Sequence, residues 1–282
     1  MQQGTKPFFN CKAQHKLVSE MSDKKTQSSN SPSSQDISFD NIANKFDKNI
    51  YGTTKGRLRH EMLMHNLAFL WPVLNENACV LDAGGGTGEF TKELLAKGYQ
   101  VLLNDISMDT LEIAEQKLAD YDGLSLHHGA IQDIPAHSQF DLVTCHAVFE
   151  WLDNPQAVLS HLFELLKPGA YLSLSFFNQD ANLFGNVLYG NFQLINNGMK
   201  QKNRLRLANH TPLKPKTVLN WLEELPCEVL KKSGIRCFHD YLKDKQQQSD
   251  NYQDIKQLEL QYSDQEPYLW LGKYFHIVIR KN

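Results

Sequence analysis

Between residues 78 and 177 the chain repeats one pattern: a short apolar run, then a longer stretch with apolar residues at helical spacing. Residues 78–83 read as a first strand, followed by a glycine-rich turn and a helix to about Lys97. Val101–Asn104 reads as a second strand ending in Asp105, and residues 109–121 as a helix through Leu111, Ile113, Ala114 and Leu118. Leu124–His128, Phe140–Cys145 and Tyr171–Phe177 are the next strands, with a helix over 155–166 closed by Pro168-Gly169. Strands alternating with helices predict an α/β fold, with a parallel sheet covered on both faces and right-handed crossovers. The rhythm breaks over 178–210. A helix over 217–225, a strand in 227–242, a polar helical insertion over 244–264 and a last alternating strand over 274–281 follow. Upstream, Phe39, Ile42 and Phe46 have helical spacing, a loop spans 51–56, and a second helix runs from about Arg57 to Leu70, ahead of Pro72. These helices read either as an N-terminal cap over the glycine turn or as an appendage that only packs on the fold. Residues 1–36 are too polar to offset their ordering entropy and read as a disordered tail, leaving one domain over 37–282.

Composition changes this picture in one place. The 282 residues are 41% hydrophobic and 10% aromatic, enough for a real core, and 29 basic against 32 acidic residues leave a net charge of −3. Global charge therefore does not announce a nucleic-acid partner, and any basic footprint is local. One such footprint lies near 181–216. No acidic residue occurs from Ala181 to Leu222, while Lys200, Lys202, Arg204, Arg206, Lys214 and Lys216 fall there. Phe184, Tyr189 and Phe192 stand just ahead of these cations. Cations on phosphates and rings under bases suit a looped or single-stranded nucleic acid, and a solvated loop fits the charge equally well. The 5 cysteines have no CxxC spacing, which argues against a disulfide framework or a zinc site, and Cys79 and Cys145 read as buried strand thiols. His127-His128 has no third ligand at useful spacing, so no metal site is expected. No apolar stretch is long enough to span a membrane and no secretory segment is visible, so a soluble cytoplasmic protein is the default.

The candidate chemistry gathers at VLDAGGGTG, residues 80–88. Strand, glycine turn and helix are in the right order for a ligand to approach the backbone closely and meet the helix's unpaired N–H groups. In a dinucleotide fingerprint started at Gly84, the third glycine would fall at Glu89, whose carboxylate would repel a pyrophosphate. The turn instead resembles the D-x-G-x-G-x-G pattern of class I S-adenosylmethionine-dependent methyltransferases, carried by Asp82, Gly84, Gly86 and Gly88. Their cofactor has no phosphate. Asp105, at the carboxyl end of the second strand, suits the two hydroxyls of a ribose; capping the next helix is the alternative, and Ser107 or Asp109 can do that instead. Gln132 and Asp133 end the third strand, where an adenine ring or plain solvent would meet them. His146 is open between cofactor contact, core histidine and base. Glu150 and Trp151 are placed in the pocket wall.

FDNIANKF, IYGTTKGRLR, HAVFEWLDNP, GNF, GIRCFHDYL, QEPY and LGKYFHI carry a more specific resemblance over about residues 37–281. Together with the glycine turn they resemble the bacterial tRNA 5-carboxymethoxyuridine methyltransferase family. The resemblance implies a Rossmann-like class I fold with a seven-stranded, mostly parallel sheet, an antiparallel C-terminal strand pair and N-terminal helices. It implies S-adenosyl-L-methionine as cofactor and, as partner, the tRNA anticodon loop carrying 5-carboxymethoxyuridine at the wobble position. Carried over residue by residue, Arg59 reaches the methionine carboxylate, Gly84 and Gly85 line the turn, Asp105 holds the ribose, Ile131 and Gln132 border the adenine, and His146 contacts the cofactor. The basic run GMKQKNRLR is looser than the family's run of consecutive basic residues. Lys200, Lys202, Arg204, Arg206, Arg236 and Tyr241 are the candidate substrate residues, with His239 beside them. No catalytic acid or base is assigned. A methyltransferase for a small metabolite and a non-catalytic cofactor-binding subunit are the alternatives.

Overall fold

The computed structural model describes residues 52–137, 139–199 and 211–282. The tail and the helix read over Phe39–Phe46 lie outside the described residues. The first described helix, α1, spans Thr54–Asn66, three residues earlier than the periodicity suggests. Thr53 is its cap, accepting from the Gly56 N–H at 3.2 Å, so the glycine sits inside the first turn instead of in a loop. A 3-10 turn over Ala68–Leu70 replaces the helix's last turn ahead of Pro72.

The α/β repeat then follows: β1 Cys79–Ala83, α2 Glu89–Ala96, β2 Gln100–Asp105, α3 Met108–Lys117, β3 Leu124–His128, β4 Phe140–His146, α4 Pro155–Glu164 and β5 Leu166–Phe177. The rest is α5 Gln179–Leu188, α6 Phe192–Asn196, α7 Pro215–Glu223, β6 Cys227–Ile235, α8 Gln247–Asp250, α9 Tyr252–Tyr262 and β7 Tyr274–Lys281. The strands form a seven-stranded sheet in the order β3-β2-β1-β4-β5-β7-β6. β1 to β5 run parallel, and β7 pairs antiparallel with both β5 and β6. The alternating side chains of the strands feed two cores. Leu81 and Val143 pack with α4 and α7 on one face, and Val80 and Leu142 pack with α1, α2, α3 and α9 on the other.

Three local readings change. β5 starts at Leu166, not Tyr171, and takes Pro168 and Gly169 through a register shift beside β4; an irregularity of this kind is where a sheet tolerates proline. β6 stops at Ile235, and the rest of the segment read as strand is a turn with Arg236 at φ 62° and a 3-10 turn over His239–Tyr241. Cys145 is a buried free thiol, whereas Cys79 is disulfide-bonded. The polar insertion has a structural task as well. Glu259 on α9 is fully buried and accepts from the N–H groups of Cys237 at 2.6 Å, Phe238 at 2.9 Å and His239 at 2.9 Å. One carboxylate thereby holds the turn after β6 in place.

Candidate active site

Strand order reverses between β1 and β4, and in open α/β sheets that crevice, at the carboxyl ends of the strands, is where ligands bind. A cleft opens there, with about 860 Å³ of free space including its mouth, within the range of small-molecule sites. It takes one wall from each strand end: Gly84–Thr87 after β1, Asn104–Ile106 from β2, Gly129–Ile131 after β3, and His146–Val148 with Trp151 after β4. Arg59 of α1 closes one side. A second, smaller cavity shares Arg59, Gly84, Gly85 and His146 with it and adds His60, Leu63, Asp82 and Phe90.

The turn needs its glycines for close approach. Gly84 has φ 68°, and a Cβ there would stand 2.5 Å from Val148 Cγ2. A Cβ on Gly85 would stand 2.7 Å from Asp82 Oδ2. Asp82 is buried and fixed by the hydroxyls of Thr91 at 2.6 Å and Thr144 at 2.8 Å. Burial raises its carboxyl above the ordinary value, against those two hydrogen bonds. Glu89 forms an ion pair with Lys117 on α3 and does not line either cavity.

Asp105 is held from two sides. Oδ2 accepts from the Gly86 N–H at 2.9 Å and Oδ1 from the Ser107 N–H at 2.9 Å. Ser107, not Asp105, caps α3 through the Thr110 N–H, so the capping alternative for Asp105 falls. Its neighbour Asn104 donates to the Gly129 carbonyl at 2.8 Å, and its Oδ1 is buried without a partner. His146 packs edge-on to Phe90, with centroids 4.7 Å apart. Its Nδ1 is also buried without a partner. Burial, with the nearby His276 and Arg59, pushes its pKa well below the ordinary value, so at neutral pH the ring is uncharged.

The cleft thus brings together Arg59, Gly84, Gly85, Asp105, Ile131 and His146. Gln132 does not line it and is exposed on the turn after β3. Trp151 lines the cleft; Glu150 is buried behind it. Asn104, His60, Leu63 and Phe90 were not singled out by the sequence. Arg59, His60 and Leu63 share one face of α1, a spacing that marks a helix face without saying what it faces.

Arg236 and Tyr241 lie on a second cluster. The guanidinium groups of Arg59 and Arg236 both stand over the Tyr274 ring, at 5.3 Å and 5.4 Å. Arg236 pairs with Asp240 at 3.0 Å, and its Nε is buried without a partner. Burial alone would raise the Asp240 carboxyl, but Arg236, the His239 hydrogen bond and Lys55 outweigh it and hold it at about 2. Tyr241 donates its hydroxyl to the Leu271 carbonyl at 2.8 Å and packs against Phe184, with centroids 5.3 Å apart. Beyond it, α5 and α6 expose Phe184, Tyr189 and Phe192. Lys200, Lys202, Arg204 and Arg206 lie outside the described residues.

A closely approachable turn, a doubly anchored carboxylate, and orphaned polar atoms on Asn104 and His146 make a cradle for a polar, nucleoside-sized ligand. Comparison with known proteins agrees with that shape. Residues 56–240 match the model of a methyltransferase domain family. The chain is 41% identical over 253 residues to the tRNA 5-carboxymethoxyuridine methyltransferase of Escherichia coli K12, covering 88% of this chain and 97% of that protein. It is 32% identical over 126 residues to the malonyl-[acyl-carrier protein] O-methyltransferase of Halalkalibacterium halodurans, covering 43% of this chain and 45% of the relative. Among solved structures, it superposes on the magnesium protoporphyrin IX methyltransferase of Synechocystis PCC 6803 with bound SAH, with a TM-score of 0.59 at 16% identity, covering 86% and 96% of the two chains.

Proposed function

Because the chain belongs to the class I S-adenosylmethionine-dependent methyltransferases, in the family of the tRNA 5-carboxymethoxyuridine methyltransferase, we propose that it methylates the carboxylate of 5-carboxymethoxyuridine at the wobble position of tRNA, in the cytoplasm. The observation that carries the reading is 41% identity that runs through 97% of that relative, not only through the shared cofactor half. When bound, S-adenosylmethionine supplies an electrophilic methyl group on a sulfonium. Transfer of that methyl group to a substrate carboxylate oxygen would form an O–CH3 bond as the S–CH3 bond breaks, and would leave a methyl ester and S-adenosylhomocysteine.

The protein's share is orientation and exclusion of water. In this reading Asp105 accepts from the ribose hydroxyls, with its own oxygens already aligned by Gly86 and Ser107. Arg59 pairs with the methionine carboxylate, the Gly84-Gly85 turn lets the backbone lie against the ligand, and Ile131 packs on the adenine. Arg236 faces the substrate side and steers its carboxylate. Asp240 tempers that attraction, since a bare guanidinium would stabilise the carboxylate and blunt its nucleophilicity. Tyr241 supports this wall. The aromatic face of α5 and α6 and the cations at 200, 202, 204 and 206 meet the anticodon loop.

The test is direct. Undermodified tRNA carrying 5-carboxymethoxyuridine is incubated with the protein and cofactor, and the wobble nucleoside is analysed by mass spectrometry. A gain of one methyl group as a base-labile ester is expected. Methyl transfer to a metabolite extract but not to tRNA supports the small-molecule alternative.

A further inference from the structure

Behind His146 runs a chain of buried polar side chains. Asn66 on α1, Ser233 on β6, His276 on β7 and Ser173 on β5 are each 0–1% exposed. Asn66 Nδ2 donates to Ser233 Oγ at 2.8 Å and stands 3.2 Å from His276 Nδ1. His276 Nε2 is 2.9 Å from Ser173 Oγ. The same hydroxyl is 2.8 Å from His146 Nε2. Five elements, with His146 on β4 the last, thus contribute to one hydrogen-bonded line that ends at the wall shared by the two cavities. Buried polar groups of this number are costly unless mutually satisfied, and here only the last atom, His146 Nδ1, is left without a partner.

The line has a direction. Burial drives His276 down to about 3 and His146 well below its ordinary value, so each ring is neutral and carries one proton. The Asn66 amide nitrogen only donates, so His276 Nδ1 accepts and the His276 proton sits on Nε2. That proton is given to Ser173 Oγ. The Ser173 hydroxyl proton is then given to His146 Nε2, which leaves the His146 proton on Nδ1.

We propose that Asn66, His276 and Ser173 are positioning residues that lock His146 in its Nδ1–H tautomer, a neutral donor presented to an acceptor on the bound cofactor. An imidazolium here would repel a sulfonium; a neutral ring offers a hydrogen bond without that charge. The inference rests on reading the cleft as the cofactor site and is independent of the tRNA.

The decisive variant is Asn66→Asp, nearly isosteric but able only to accept when ionised. In the serine-protease triad the converse exchange leaves the geometry intact and produces the wrong histidine tautomer. Here the carboxylate should take the His276 proton on Nδ1 and reverse every bond in the line, leaving His146 protonated on Nε2. Nitrogen NMR of 15N-histidine-labelled, cofactor-free protein reads the tautomer, and calorimetry reads cofactor affinity. The wild type should show His146 with the proton on Nδ1, and Asn66→Asp should move it to Nε2. Cofactor affinity should fall roughly tenfold, the scale of one buried hydrogen bond, with the loss in KM for the cofactor and not in kcat. Ser173→Ala, which cuts the line, should mix the tautomers and lose part of the affinity; it decides the matter if Asn66→Asp does not fold. A wild-type proton on Nε2, a tautomer unmoved in folded variants, or a reversed tautomer at full affinity each overturns the proposal. A wild type that does not bind the cofactor at all overturns the cofactor reading instead, while the tautomer measurement still judges the line.

Discussion

At the scale of single residues, burial sets the chemistry more than residue type does. Glu150 is 3% exposed with one carboxyl oxygen lacking a partner. Desolvation pushes it up to about 7, against the backbone N–H groups of Glu150 and Phe177 and the charge of Arg59. In the unfolded chain the same carboxyl releases its proton near 4.5. Between those values the folded chain holds the extra proton, so stability falls as pH rises through that window. The full cost at pH 8 is on the order of 3 kcal/mol. Glu150→Gln should therefore raise the melting temperature at pH 8 and change it little at pH 5, as differential scanning fluorimetry at both pH values can check. Equal shifts at the two pH values would show that Glu150 does not titrate there. Nothing in HAVFEW told this apart from a wall residue. The neighbouring Trp151 lines the cleft and Glu150 does not, because a 3-10 turn over Phe149–Trp151 sends adjacent side chains in different directions.

At the scale of elements, the segment after β5 is the most distinctive addition to the α/β repeat. α5 and α6 leave Leu183, Phe184, Val187, Leu188, Tyr189 and Phe192 exposed, in a contiguous run of sequence that carries no acid after Asp180 until Glu223. Lys245 stands 5.9 Å over the Tyr189 ring, so a cation accompanies the aromatics from another part of the chain. Apolar exposure of this kind marks an interaction site, and cations beside it favour a polyanion. Changing Lys200, Lys202, Arg204 and Arg206 together to Ala should weaken tRNA binding and flatten its salt dependence, by up to about 3 in the log–log slope if all four meet phosphates of a single-stranded loop. Fluorescence anisotropy at several salt concentrations measures this, and cofactor affinity should hardly move. A slope equal to the wild type's would leave the window as a solvated loop.

At the scale of the whole molecule, the sheet's topology separates two tasks. The carboxyl ends of β1 to β4 build the cleft proposed for the cofactor, while the turn after β6 and the segment after β5 present Arg236, Tyr241 and the aromatic face beside it. Tyr274, at the start of β7, lies under a cation from each side. That division has a kinetic consequence. Methylating a hydroxyl or ring nitrogen requires removal of a proton and so a base of suitable pKa. A carboxylate with a pKa of about 4 is already ionised, and His146 is neutral at pH 7. Single-turnover transfer at saturating tRNA should therefore be nearly flat between about pH 6 and pH 8.5. A rate that climbs tenfold per pH unit, and loses that slope in His146→Ala, would make His146 a general base and exclude the carboxylate mechanism.

The sequence by itself determined the α/β repeat, because short apolar runs alternating with stretches of helical period 3.6 admit few other arrangements. It also determined the place of the cleft, because four glycines within 84–88 between a strand and a helix admit close backbone approach. Asp105 was legible for the same reason, standing at a strand's carboxyl end. What it could not determine depends on contacts between distant segments. Gln132 and Ile131 are neighbours, yet one is exposed and the other is buried in the cleft wall. Glu259 lies in a segment that reads as polar and solvated, yet it anchors the turn that carries Arg236. The partners of His146 come from β5, β7 and, through His276, α1 and β6. Only the tertiary structure decided these, because hydrogen bonding and desolvation are set by which side chains packing brings together, and spacing along the chain does not encode that.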